Sequence, residues 1–137
     1  LEKGSHFAKR GQMLPPYDTR ETLRKLAEVI DVYDAETVIA LGDSLHDAEA
    51  LERMAREDRE TLDLILQDRE WIWITGNHDG ESASVLGGAI CEELQVEGIT
   101  FRHEPKTGAR THEIAGHMHP AARLVKHGTS LRRPCFV

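Results

Sequence analysis

The sequence predicts a mixed α/β domain built in layers, and three observations carry that reading. Two short, continuous, β-branched apolar runs, 37–41 and 71–75, each stop at a glycine followed by a polar residue. Helix-period stretches lie before the first run and between the two. Beyond residue 98 the pattern changes to short strands separated by turn residues. Strand–helix alternation followed by a strand-rich half fits a layered mixed sheet better than a purely parallel one.

Residues 1–17 read as a loop, punctuated by Gly4, Gly11, Pro15 and Pro16. Asp18-Thr19 supplies a cap, and Leu23, Leu26, Ala27 and Ile30 follow at helical spacing, so an amphipathic helix is expected over 19–32. Thr37-Val38-Ile39-Ala40-Leu41 reads as the first buried strand. Residues 44–68 read as helical with a break near 56–59, and Leu62, Ile65 and Leu66 form the apolar face of the second part. Trp71-Ile72-Trp73-Ile74-Thr75 is the second buried strand, and its tryptophans read as packing residues rather than a base-stacking platform. A weak helix is expected over 82–86, ended by Gly87-Gly88. Strands are expected over 99–103, 112–116, 121–126 and 131–137.

The chain has 137 residues, 39% hydrophobic and 30% charged, which suits a single domain (1–137) with a real core. It starts at Leu1 without an initiator Met and stops at the strand-like pair Phe136-Val137, so both ends are expected to be cut. No apolar run is long enough to span a membrane, and the polar start has no apolar signal segment. Cys91 and Cys135 are far apart and form no metal-knuckle pair, which points to a reducing, cytoplasmic setting. A formal charge of −7 is a poor footprint for gripping nucleic acid by charge alone, although bound divalent cations would add positive charge where phosphate sits. Arg123, Arg132 and Arg133 are candidates to touch a nucleic-acid backbone. The mixed-sign stretch 53–69 reads as a solvated helix face. His6, His112 and His127 read as structural or exposed.

Three polar clusters follow predicted strands: Gly42-Asp43-Ser44-Leu45-His46-Asp47, Gly76-Asn77-His78-Asp79 and Gly116-His117-Met118-His119. Sites in α/β sheets form beyond the carboxyl ends of strands, so three clusters in that position point to one site. Carboxylate, amide oxygen and imidazole together suit manganese, iron or zinc. Strand alternation would put His117 and His119 on one face, aimed at two neighbouring ions. Glycine before each cluster allows a sharp turn without a Cβ clash.

GDSLHD, GNHD and GHMH, in this order, resemble three motifs of the calcineurin-like metallophosphoesterase superfamily, and His103 in FRHEP matches its isolated histidine. The LEKGSHFAKRGQ start, with LGDSLHD, WITGNHD, RHEP and EIAGHMHPAAR, is similar over nearly the whole chain to the ligase-associated DNA damage response endonuclease subfamily. The resemblance implies a layered α/β/β/α sandwich, truncated at both ends. It also implies two divalent metal ions, manganese first among them. Asp43 would bridge the two ions. Asn77, His103 and His117 would complete the second site, and His119 would bind the first. His78, oriented by Asp79, would protonate the leaving oxygen. The D-x-H motif, which supplies two further ligands of the first metal, is missing. His46 stands where the common pattern has Asp, and either His46 or Asp47 is expected to support the ligands from behind.

The function this implies is phosphodiester hydrolysis by a two-metal-activated water. DNA would be the substrate, in bacterial DNA repair, beside a DNA ligase and a helicase-like partner. A phosphoesterase acting on a nucleotide or small ester is the alternative, and a non-catalytic metal-binding module is a third.

Overall fold

The computed structural model describes residues 1–14, 17–77, 82–108 and 112–137. Helix α1 (Lys3–Lys9) and helix α2 (Asp18–Tyr33) precede strand β1 (Thr37–Leu41). Helices α3 (Ala50–Arg53) and α4 (Arg56–Leu66) lead to β2 (Glu70–Ile74). A 3-10 turn, Ser82–Leu86, leads to β3 (Ala89–Cys91), β4 (Glu93–Val96) and β5 (Ile99–Arg102), followed by β6 (His112–Ala115), β7 (Ala121–Lys126) and β8 (Thr129–Pro134). The fold is mixed α/β, as the sequence predicts.

The strands form a parallel sheet β1-β2-β3, a sheet β4-β5-β6 in which β5 and β6 run parallel, and a β7-β8 hairpin. Parallel pairing decides where the site lies. Leu41 pairs with Ile74, so the clusters that follow β1 and β2 leave the first sheet at one end. Arg102 pairs with Ala115, so His103 and the Gly116 cluster likewise leave the second sheet together.

The core lies between the first sheet and helices α2 and α4. Leu23 and Ile30 of α2 and Leu62 and Ile65 of α4 pack with Met54, Trp71 and Trp73. Each fully buried Leu or Ile side chain contributes roughly 1.5–3 kcal/mol. Trp71 and Trp73, two residues apart on one face of β2, stack with centroids 5.2 Å apart, and the Trp73 indole N–H donates to the Gly87 carbonyl at 2.8 Å. They are packing residues, as expected. Gly88 lies against this pair, because a Cβ there would stand 2.5 Å from the Trp71 carbonyl oxygen.

Several boundaries differ from the sequence reading. Residues expected to form a loop contain α1, which has no apolar period and is held by side chains. The Gly4 N–H donates to Asp18 Oδ2, the Glu2 N–H donates to the Thr19 hydroxyl, and that hydroxyl donates to the Glu2 carboxylate. The helix break falls at Met54-Ala55, both extended, rather than at 56–59. β3 and β4 escape the sequence reading because three or four residues are too few to establish a period.

Candidate metal centre

The site forms where the ends of both sheets meet. The glycines that open the three clusters are the points of closest approach. A Cβ on Gly42 would lie 2.4 Å from His103 Nδ1 and 2.8 Å from Gly76 Cα. One on Gly76 would lie 2.3 Å from the Asp43 nitrogen, and one on Gly116 would lie 2.7 Å from the Leu41 carbonyl oxygen. Gly42 also needs its left-handed backbone (φ +79°), and Asp43 continues it at φ +53°. Gly76 and Gly116 have ordinary backbone, so turning is not their role; they are glycine because another strand's end occupies the Cβ position. Consecutive left-handed residues at Gly42-Asp43, one of them not glycine, are backbone strain of a kind that concentrates at functional sites.

Asp43, His103 and His117 come together, with one potential ligand atom from each lying within 4.8 Å of the others. His103 is buried and its geometry is set. Its Nδ1 lies 2.8 Å from the Leu41 carbonyl, which can only accept, so Nδ1 carries a proton and Nε2 is the ring atom left to face the cluster. That Nε2 lies 3.4 Å from Asp43 Oδ2 and 3.0 Å from His117 Nδ1. A backbone carbonyl behind a histidine is the usual way to orient it toward a metal. His117 is placed by its own backbone, since the N–H groups of Gly116 and His117 both donate to the His103 carbonyl, at 3.1 and 3.0 Å. One carboxylate and two imidazoles fit manganese, iron or zinc, so these three residues could hold an ion.

The other predicted ligands lie at the margin. The Asn77 amide donates to Glu104 Oε1 at 2.9 Å, and the same oxygen stands 3.7 Å from His117 Nε2. Glu104, which the sequence reading passed over although it directly follows His103, thus links two predicted ligands. His119 does not share a strand face with His117. Strand β6 ends at Ala115, residues 117–118 form a turn, and His119 is left-handed at φ +44°. It lines a cavity of about 220 Å³ with Asp43, Leu45, His46, Leu1 and Lys3. His78 and Asp79 lie outside the described residues.

The structure separates the roles of His46 and Asp47. The Arg53 guanidinium grips Asp47 in a fork, with both N–H···O distances 2.8 Å, and His6 holds the Oδ2 side. Arg53 foremost, helped by His6 and the Glu49 N–H, holds the Asp47 carboxyl far below the usual carboxylate range against the opposing effect of its partial burial. Asp47 therefore ties α1 and α3 to the loop after β1 and is not turned to the ligands. His46 packs edge-on against His6 at 4.4 Å and reaches the cavity that Asp43 and His119 line. Arg53, only 10% exposed, departs from the solvated face expected of 53–69, whereas Arg56 and Arg59 form ordinary i,i+4 pairs there.

The chain is similar in structure to the nuclease MPE of Pseudomonas putida, with a TM-score of 0.72 and 29% sequence identity. The match covers 92% of this chain and 64% of that one. No family model and no curated protein matches the sequence. No helix among the described residues is long and apolar enough to cross a membrane.

Proposed function

We propose that this chain belongs to a metal-dependent phosphoesterase of the calcineurin-like type that hydrolyses phosphodiester bonds in DNA. The observation that carries this reading is the Asp43–His103–His117 cluster, with His103 Nε2 fixed by the Leu41 carbonyl. Similarity to a protein described as a nuclease supports nucleic acid as the substrate. Two divalent ions, manganese first among them, would polarise the phosphate and activate a water. Asp43, Asn77, His103 and His117 would hold one ion, and Asp43 with His119 would contribute to the other. His103 would keep its proton on Nδ1 throughout, leaving Nε2 as the ligand atom. His78 would donate a proton to the leaving oxygen. A role in bacterial DNA repair, beside a ligase and a helicase-like protein, extends the sequence resemblance. A second reading, hydrolysis of a nucleotide or small ester, is favoured by the formal charge of −7, which repels long polyanions.

The first test is manganese bound per chain, for the protein and for His117→Ala. Tight binding that the substitution weakens at least ~10-fold is expected, since even residues behind a ligand are worth that much. No binding by either form, including a form extended upstream of Leu1, would remove the metalloenzyme reading. Given binding, hydrolysis of DNA against bis-p-nitrophenyl phosphate separates the two substrate classes.

A further inference from the structure

We propose that the β7–β8 hairpin holds the phosphodiester backbone of the nucleic-acid strand that enters the metal centre, with Arg123 and Arg132 straddling one stretch of phosphates. The inference deepens the proposed function and rests on it for the identity of the polyanion.

Four observations lead here. First, the register sets Arg123 directly opposite Arg132, two rungs above the hairpin base at Ala121–Pro134. Like charges facing each other across a strand pair repel, and fully ionised guanidinium groups cannot escape by losing a proton. Second, no carboxylate lies within 4.0 Å of Arg123, Lys126, Arg132 or Arg133 among the described residues. Elsewhere Arg20, Arg24, Arg53, Arg56, Arg59 and Arg102 each have one, and of the other described arginines Arg10 and Arg69 do not. Arg123 instead donates from Nε to the Ser130 hydroxyl at 2.7 Å, which orients the guanidinium without neutralising it. Third, from Ile114 to Val137 the chain has four Lys or Arg and no Asp or Glu, within a protein of formal charge −7. With no acidic residue beside them, these cations give the exposed ribbon a net positive charge. Fourth, the ribbon leads directly from the candidate site. The Cys135 N–H donates to the Pro120 carbonyl at 3.0 Å, closing the hairpin base one residue after His119. Arg123 is four residues from His119, so their Cα atoms lie within about 14 Å.

A phosphodiester chain fits these features. It supplies a row of single negative charges that accept planar guanidinium forks, and it must pass from the metal centre across adjoining surface. The opposed arginines would then bind the substrate without reading its sequence. The other face, where Leu124 is opposite Leu131 with Lys126 and Arg133 beside them, adds cations to the same ribbon.

The test compares the full chain with Arg123→Gln/Arg132→Gln and with Arg123→Lys/Arg132→Lys. Binding of a fluorescein-labelled single-stranded oligodeoxynucleotide is followed by anisotropy across a salt series. Turnover of bis-p-nitrophenyl phosphate with manganese is measured alongside. The Gln variant should bind the oligonucleotide ~10-fold more weakly. Its log Kd against log salt slope should be shallower by about 1.4, for two contacts at about 0.7 each. The Lys variant should retain most of the slope, and small-ester turnover should be equal in all three. An unchanged slope in the Gln variant overturns the inference, as does a wild-type chain that hydrolyses the small ester but does not bind the oligonucleotide. Displacement by polyglutamate as effective as by DNA would also overturn it, because the ribbon would then accept any acidic polymer. Oligonucleotide binding with the predicted slope change, but no hydrolysis of any ester, would sink the proposed function and leave the ribbon's role standing.

Discussion

Arg53 and Arg123 show how differently the two regions of this molecule use one side chain. Arg53 is 10% exposed, forks onto Asp47 and donates from Nε to the Ser5 hydroxyl at 3.2 Å, so one guanidinium joins α1, α3 and the loop after β1. Arg123 lies on an exposed ribbon, opposite another arginine, with a serine hydroxyl as its hydrogen-bond acceptor. The first arrangement is complete within the fold and stabilises it. The second leaves charge uncompensated, which costs the fold something and leaves cations available to an anion. The interlocked region holds the elements around the candidate site in place, whereas the ribbon keeps its charge open to an outside anion.

Breaking the interlocked region should have the largest effect. Gly42→Ala puts a Cβ at φ +79° against His103 and Gly76. Left-handed strain and overpacking together should cost roughly 3–5 kcal/mol in urea unfolding and abolish manganese binding with it. A loss below 1 kcal/mol would mean that the two sheet ends are not held as tightly as the glycine contacts require. Asp47→Ala, which leaves a largely buried guanidinium with only Glu49 at 3.7 Å and the Ser5 hydroxyl, should cost about 2–3 kcal/mol. The same carboxylate sets an acid dependence. Its folded-state pKa is depressed below 3.8, so its contribution is present in full above about pH 4 and is lost as pH falls from there. Unfolding midpoints between pH 5 and pH 3 should therefore drop less for Asp47→Asn than for the parent chain; parallel curves would contradict this.

The ribbon should respond with the opposite sign. Arg132→Thr removes a like-charge cross-strand pair and introduces a good strand former, so it should raise stability by about 0.5 kcal/mol. A destabilisation of that size would show that Arg132 is satisfied within the fold. Smallest of all, Arg56→Ala removes an ion pair whose arginine is 88% exposed, and its melting temperature should be indistinguishable from the parent's.

Much of the fold was legible because its signals are local. The runs at 37–41 and 71–75 announce buried strands, and the spacing of Leu23, Leu26 and Ile30 announces α2. The position of the site was legible too, since each cluster directly follows a strand. Convergence of the candidate ligands was readable only in outline. Asp43, His103 and His117 meet as the order of motifs suggests, but the shared strand face expected of His117 and His119 does not exist, because β6 stops at Ala115. Helix α1 was not legible, since Glu2, Asp18 and Thr19 side chains hold it where no apolar period exists.

The sequence by itself determined the two buried strands, the polar clusters at their ends and the kinds of side chain those clusters present. All three follow from patterns within a few consecutive residues. Only the tertiary structure decided that the Leu41 carbonyl holds the Nδ1 side of His103 across 62 positions, and that Asp47 serves Arg53 and His6 rather than the Asp43–His103–His117 cluster. It also decided that Gly76 and Gly116 are glycine for want of space. The physical reason is common to all three: these hydrogen bonds and close contacts join separate elements that only the folded chain brings together, and no local pattern encodes the distance between them.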